Sequence, residues 1–322
     1  MLDDNGLCEI HKNLGEDYLG VVCKQFPRYS EYYGTIKESG IGLACEEAAR
    51  IILSENRPFS METAACDEEY EPSSEYDSSF ALQIFAAREA VFKILAKESL
   101  SIHEKLIVIL DMGSKIQQCI NTDEYDNIKS VVNDYLKEGI AHTLDETRNL
   151  SDSGQFEDIS LQQGIRQILY PYEEMEVLNP EWEVILKDII DSLFEQMSDE
   201  EYNILNEEFG TYMVSRAYEY RQLLEYFVFR YFAKSIYDYD FLGKCQMLVT
   251  NFFVIRQMDI IRWLDNHREY SFKDRMDVVH IFSRQVEYSE DNIENLYEDF
   301  IFDDIFKTDS LIAILWIDSE NI

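Results

Sequence analysis

SFALQIFAAREAVFKILAK, residues 79–97, decides the fold of this 322-residue chain. Phe80, Ile84, Ala87, Val91 and Leu95 recur at steps of three and four, which places them on one face of a helix from Ser79 to about Lys97. The same spacing continues outward from there. Leu106, Ile109, Leu110 and Ile116 mark a second helix, and Ile128, Val131, Val132 and Tyr135 a third. Residues 143–160 read as a loop. Ile165, Ile168 and Leu169 lead to an expected break at Tyr170-Pro171, because proline removes a helical donor and crowds the preceding turn. Another helix is predicted over 181–197. Ser198-Asp199-Glu200-Glu201 then has the form of a capping box. Behind it, Leu205, Phe209, Tyr212, Tyr220, Leu224, Phe227 and Tyr231 predict long aromatic-rich helices to about Tyr237. Residues 241–265, 271–288, 290–302 and 308–317 continue the pattern. Alternating strands, internal repeats and heptads are not evident. The expected fold is mainly α, with more than about half of the residues helical against an ordinary ~30–35%.

Apolar residues at 46% and aromatics at 13% exclude a disordered chain despite a net charge of −36. The acidity is spread evenly, with −10 in residues 1–75 and −26 in the remainder, so it describes a solvated surface and not an acidic tail. Such a field repels nucleic acid and anionic lipid and attracts a basic or lysine-bearing partner. MLDDNGLCEI, at the start, has no basic segment leading into an apolar one, so no secretory signal is read there. The most apolar run, Met247 to Leu264, is interrupted by Asn251, Arg256, Gln257, Asp259 and Arg262, which excludes a membrane span. The expected compartment is the cytoplasm, where six cysteines are free thiols or metal ligands before they are disulfides.

The first 45 residues differ from the body. Gly6, Gly15, Gly20, Pro27, Gly34, Gly40 and Gly42 crowd into them and predict an irregular lobe. A helix is expected from Cys45 to about Ser54, its acidic first turn matching the helix dipole. CDEEYEPSSEYDSS, residues 66–79, reads as a polar linker, dividing a cysteine lobe, 1–75, from a helical body, 76–322. Gly40-Ile41-Gly42 before that helix comes nearest to a dinucleotide-binding turn, but the third glycine is absent and TIKES is too short and polar for a buried strand. The five histidines lack ligand spacing, and Cys119 and Cys245 sit singly in helical stretches, where an inert thiol is usual. Cys8, Cys23 and Cys45 match no zinc finger, which would show a close cysteine pair. Their spacing leaves a metal site and ordinary thiols equally open.

Gly6-Leu7-Cys8-Glu9-Ile10-His11 with Leu14-Gly15-Glu16, then Cys23-Lys24-Gln25-Phe26-Pro27-Arg28, then Leu43-Ala44-Cys45-Glu46-Glu47-Ala48-Ala49-Arg50 together resemble the flagellin lysine-N-methylase (FliB-type) family. Its pattern there is close to GLCxIxxxLGE, CxxFPR and LSCPEAAR. The first two pieces are also similar to a cysteine-cluster domain described as zinc- or iron-chelating. The stretches Arg88 to Lys115, Arg221 to Phe253 and Ile281 to Glu287 look like the family's body in general pattern. Two departures stand out. Glu46 replaces the family's proline, and the chain begins just before the first motif where the family carries further cysteines, as an N-terminally shortened member would.

The resemblance implies a protein-lysine methyltransferase that acts on flagellin or another lysine-bearing protein, with S-adenosylmethionine as donor. It implies an iron–sulfur cluster, or a zinc or iron ion, on Cys8, Cys23 and Cys45, with Cys66 as the fourth ligand such clusters commonly take. Arg28 and Arg50, beside those cysteines, are the expected partners of the donor's carboxylate. The alternative expectation is a non-catalytic, acidic helical interaction protein with structural cysteines.

Overall fold

A computed structural model describes residues 2–5, 7–65 and 77–320, so Cys66 and the linker boundary near residue 76 lie outside the described residues. Helix accounts for 74% of the structure. The N-terminal part holds α1 (Glu9–Leu14), α2 (Val21–Gln25), β1 (Arg28–Tyr33), β2 (Ile36–Ile41) and α3 (Glu46–Leu53). The body continues with α4 (Ser78–Leu95), α5 (Ile102–Asn121), α6 (Ile128–Asp134), α7 (Ile140–Asp152), α8 (Leu161–Glu173), α9 (Pro180–Ile189) and α10 (Asp199–Met213). It closes with α11 (Ala217–Tyr231), α12 (Ser235–Asp238), α13 (Phe241–Asp265), α14 (Phe272–Val286), α15 (Glu290–Phe302) and α16 (Thr308–Glu320).

Local chemistry explains why the elements begin where they do. Asp77 caps α4 by accepting from the backbone of Ser79 and Phe80. Ser198 and Glu201 close the expected capping box on α10. Cys45 is the N-cap residue of α3, and Glu46 and Glu47 fill its first turn.

Three expectations need correction. The glycine-rich lobe contains an antiparallel hairpin, with Arg28 opposite Ile41 and Tyr33 opposite Ile36. TIKES therefore does enter a strand, but a half-exposed one with no fully buried residue. The stretch 143–160 is not all loop, since α7 runs to Asp152. Only Thr143, Leu144 and Thr147 of α7 are buried, too thin a stripe to show as periodicity. Thr143 Oγ1 donates to Asp111 Oδ2 at 2.6 Å, which anchors the helix to α5. The helix of 161–173 passes through Pro171. Burial of Pro171 and Tyr172 offsets the single lost backbone bond, and the Tyr172 carbonyl accepts from Trp182 Nε1 at 3.2 Å.

Helix α13 is the hub, packed against α5, α9, α11 and α14. Of the polar residues that interrupt it, Asn251, Arg256, Gln257 and Asp259 are buried and paired, while Arg262 is half-buried. Arg256 donates to Asn206 Oδ1 at 3.0 Å, Gln257 accepts from Tyr202 at 2.9 Å, and Asp259 binds Arg275 at 2.5 Å and Tyr220 at 2.6 Å. Asp318 of α16 is held by His103 at 2.6 Å and by Asn206. Among the described residues no helix is long and apolar enough to cross a membrane.

Burial pushes the Asp318 carboxyl up, but Arg256 and His103 outweigh it and hold it at about 2, below the ordinary 3.8. A carboxyl lowered on folding stabilises the protein above its unfolded value and loses that contribution as the pH falls through the folded one. The deficit of Asp318→Asn relative to the parent is therefore expected to be roughly 2 kcal/mol at neutral pH and to shrink between about pH 4 and pH 2. Urea unfolding across that range measures it, and a deficit independent of pH would remove the assignment.

Candidate functional site

The hairpin docks on the body through a few strong contacts. Glu38 of β2 forms a two-pronged pair with Arg88 of α4, one prong at 2.7 Å. Arg88 is itself sandwiched near the rings of Phe85 and Phe229. Tyr33 stacks on Tyr237, whose hydroxyl donates to the Tyr32 carbonyl at 2.8 Å. These contacts bring three of the family-like segments, Phe26-Pro27, Gly42 to Cys45 and the end of Ile281 to Glu287, to one junction on α11.

A buried ion pair occupies that junction. Arg230 of α11 lies 3.2 Å from Glu287, which follows α14. Glu287 Oε2 also accepts from Tyr226 and Tyr231, each at 2.9 Å, and Arg230 Nη1 donates to the Tyr226 hydroxyl at 2.6 Å. Four phenol rings surround the guanidinium, with Tyr29 at 4.6 Å the nearest, then Tyr231, Tyr226 and Tyr288. Burial works against the Arg230 charge, but Glu287 and the phenols hold its pKa well above the ordinary range. Burial raises Tyr288, and Glu287 and the nearby Cys45 add to the rise against Arg230. Glu287 Oε1 has no partner among the described residues.

Two glycines let the lobe approach this closely. A Cβ on Gly40 would meet the ring of its cross-strand neighbour Tyr29 at 2.5 Å. A Cβ on Gly42 would meet the Tyr288 hydroxyl at 2.8 Å and Arg230 Nη1 at 3.2 Å. The Gly42 amide also donates to the Pro27 carbonyl at 2.7 Å, closing the base of the hairpin.

Beside the cage, between the hairpin, the 57–60 segment and α11, lies a pocket of about 280 Å³. Tyr29, Phe59, Tyr226 and Phe229 line it together with Gln222 and Glu225. Gln222, Glu225, Tyr226 and Phe229 are spaced by three and four along α11 and so share one face. Gln222 donates from Nε2 to the Glu55 carbonyl, while its Oε1 is buried without a partner among the described residues. Glu225 accepts from Arg221 at 2.8 Å, and burial raises its pKa against the opposing effects of Arg221 and Lys105. A larger cavity of about 680 Å³ shares Phe59, Ser60 and Phe229 with this pocket.

The residues expected from sequence are placed differently. Arg50 makes a two-pronged exposed pair with Glu47, and Arg28 donates to the Lys24 carbonyl, so both side chains have local partners. Cys8 and Cys45 occupy the N-cap positions of α1 and α3 without a side-chain capping bond, and Cys23 is exposed on α2. Among the described residues no three His, Cys, Asp or Glu side chains are grouped to hold a metal ion. Cys8, Cys23 and Cys45 are not grouped as they stand, and Cys66 lies outside the described residues. Burial pushes the Cys245 and Cys119 thiols up, the state of inert cysteines. Sequence reading took the aromatics of α11 for plain core. The signal lay in Gln222, Glu225 and Arg230, polar residues set among the aromatics of α11.

These features define a helical body with an N-terminal hairpin lobe latched over a polar cage, and a small-molecule-sized pocket at the joint. Residues 88–314 match the family described as the FliB lysine N-methylase C-terminal domain, and the chain belongs to that family. The match covers most of the body, from within α4 into α16, and leaves the cysteine motifs outside it. No curated protein and no solved structure matches the chain.

Removing Glu287 strands Arg230 in a buried site. Glu287→Ala is expected to cost about 3–5 kcal/mol. Denaturant unfolding followed by circular dichroism measures the loss, and a cost within experimental error of zero would show that the pair does not hold the lobe.

Proposed function

We propose that this chain is a cytoplasmic protein-lysine N-methyltransferase that acts on flagellin, with S-adenosylmethionine as methyl donor. The family match over residues 88–314 carries this reading. The net charge of −36 supports a lysine-bearing partner, because a field of that sign draws a basic surface in. When bound, the sulfonium donor supplies a methyl group that the lone pair of a neutral amine can take. A solvated lysine has a pKa of ~10.4 and is almost wholly charged at neutral pH, so the protein has to strip its water or accept its proton. The phenol and phenyl rings at the joint between lobe and body suit the first task, since they exclude water around the reacting groups.

By the same resemblance, Cys8, Cys23, Cys45 and Cys66 are the proposed ligands of an iron–sulfur cluster, or of a zinc or iron ion. Residues 2–5 and 7–25 contribute no buried side chain, so regrouping α1 and α2 would sacrifice no core packing.

Incubating the purified chain with S-adenosylmethionine and flagellin of the same organism, then weighing the flagellin, tests the activity. Mass gains in steps of one methylene are expected, and an unchanged flagellin would leave the acidic interaction protein as the reading. The cysteine proposal is checked separately, by iron content and visible absorption after anaerobic reconstitution with iron and sulfide. Cys23→Ser is expected to lose both signals, and a protein that takes up no iron or zinc would set the ligand assignment aside.

A further inference from the structure

We propose that the pocket between β1, the 57–60 segment and α11 receives the adenosyl group of the methyl donor, with Gln222 and Glu225 as its polar contacts and Phe59 and Phe229, in contact with each other at 5.9 Å, as a single aromatic wall. This rests on the methylase reading and adds the donor's place to it. The pocket's volume of about 280 Å³ stands near the lower end of small-molecule sites, roughly 300–1,000 Å³. The larger cavity beyond Phe59, Ser60 and Phe229 leaves room for the rest of a longer ligand.

Chemistry favours a nucleoside here. Gln222 is 5% exposed and its Oε1 has no partner among the described residues, a costly state that a ligand N–H would relieve. Glu225 is 3% exposed, and a buried carboxylate of this kind suits the paired hydroxyls of a ribose. Aromatic faces are what a purine stacks on. The target lysine is the other candidate occupant, and charge argues against it. Arg57 lines the pocket, while Arg221 and Lys105 already flank its single carboxylate, so a lysine cation meets more positive than negative charge, whereas adenine and ribose are neutral and the donor's sulfonium lies toward the larger cavity lined by Glu38 and Glu62.

The test is calorimetric titration of the full chain with S-adenosylhomocysteine, the product of the donor, which binds without turnover. Methylthioadenosine, which keeps the adenosyl group and lacks the amino-acid end, is expected to compete for the same site. Gln222→Leu and Phe59→Ala are each expected to weaken binding about tenfold, as the loss of one hydrogen-bonded or stacked contact does. Phe59 stacks on Phe92 at 4.1 Å, so its variant is accompanied by a thermal unfolding curve. Photolabelling of the parent chain with an azidoadenosyl analogue reads the same site without any substitution, and labels are expected on peptides containing Phe59 or Phe229. Binding that both variants leave intact, with labels elsewhere, overturns the pocket and leaves the methylase reading standing. No binding of either ligand by the parent chain overturns both.

Discussion

Helix α13 is buried along almost its whole length, and it can be so because the charged side chains buried on it, Lys244, Arg256 and Asp259, each meet a partner. A charge moved into the interior without one costs several kcal/mol after all relaxation, enough to consume a large part of a domain's stability. Arg256, Gln257 and Asp259 sit on successive faces of the helix and reach different neighbours: Asn206 on α10, Tyr202 on the same helix, and Arg275 on α14. Lys244 does the same at the start of α13, 2.6 Å from Asp238 on α12. The apolar contacts pull the helices together, and these pairs fix which rotation and register of each helix is acceptable. A one-residue slip of α13 would separate all of them at once.

The lobe depends on that arrangement at second hand. Arg275 binds both Asp259 on α13 and Glu219 on α11, the latter at 2.9 Å, so α11 and α14 are held to α13 and to each other by one buried guanidinium. Arg230 lies further along α11, and Glu287 directly follows α14. The distance between them is therefore set by the core. Tyr29, Gly42 and Leu43 of the lobe then pack on a surface whose charges are already matched, and the Leu43 amide donates to the Tyr226 hydroxyl at 3.4 Å.

How far the sequence foretold this depends on what each residue's signal was. The body was legible because its apolar side chains repeat at three and four, and Ser198 and Glu201 announced α10 through a local bond that needs no tertiary context. The polar interruptions of Met247 to Leu264 were legible as evidence against a membrane helix, but not as core pairs. Their partners Asn206, Tyr202 and Arg275 lie on other helices and are chosen by packing. The hairpin was missed because Arg28 to Tyr33 and Ile36 to Ile41 alternate weakly, with one half-buried face and no strong β-branched run. The family motifs pointed to the right neighbourhood for a different reason than expected. Phe26-Pro27 and Gly42 to Cys45 carry the hairpin's base onto the Arg230 cage, while Arg28 and Arg50 of the same motifs turn to partners within their own segments.

That difference bears on how the two halves of the chain divide the work. The body supplies one polar-and-aromatic face of α11, from Gln222 through Arg230. The lobe supplies Tyr29, Gly40 and the chain around Phe59, which cover that face without filling it. Side chains on Gly40 or Gly42 would close the gap or force the lobe away, so their absence sets how near the hairpin can come. A site built this way has its charged floor fixed by the rigid helical core and its roof carried on a hairpin and a connecting strap. Fewer buried contacts hold that roof than hold the helical core, so it opens at a lower free-energy cost.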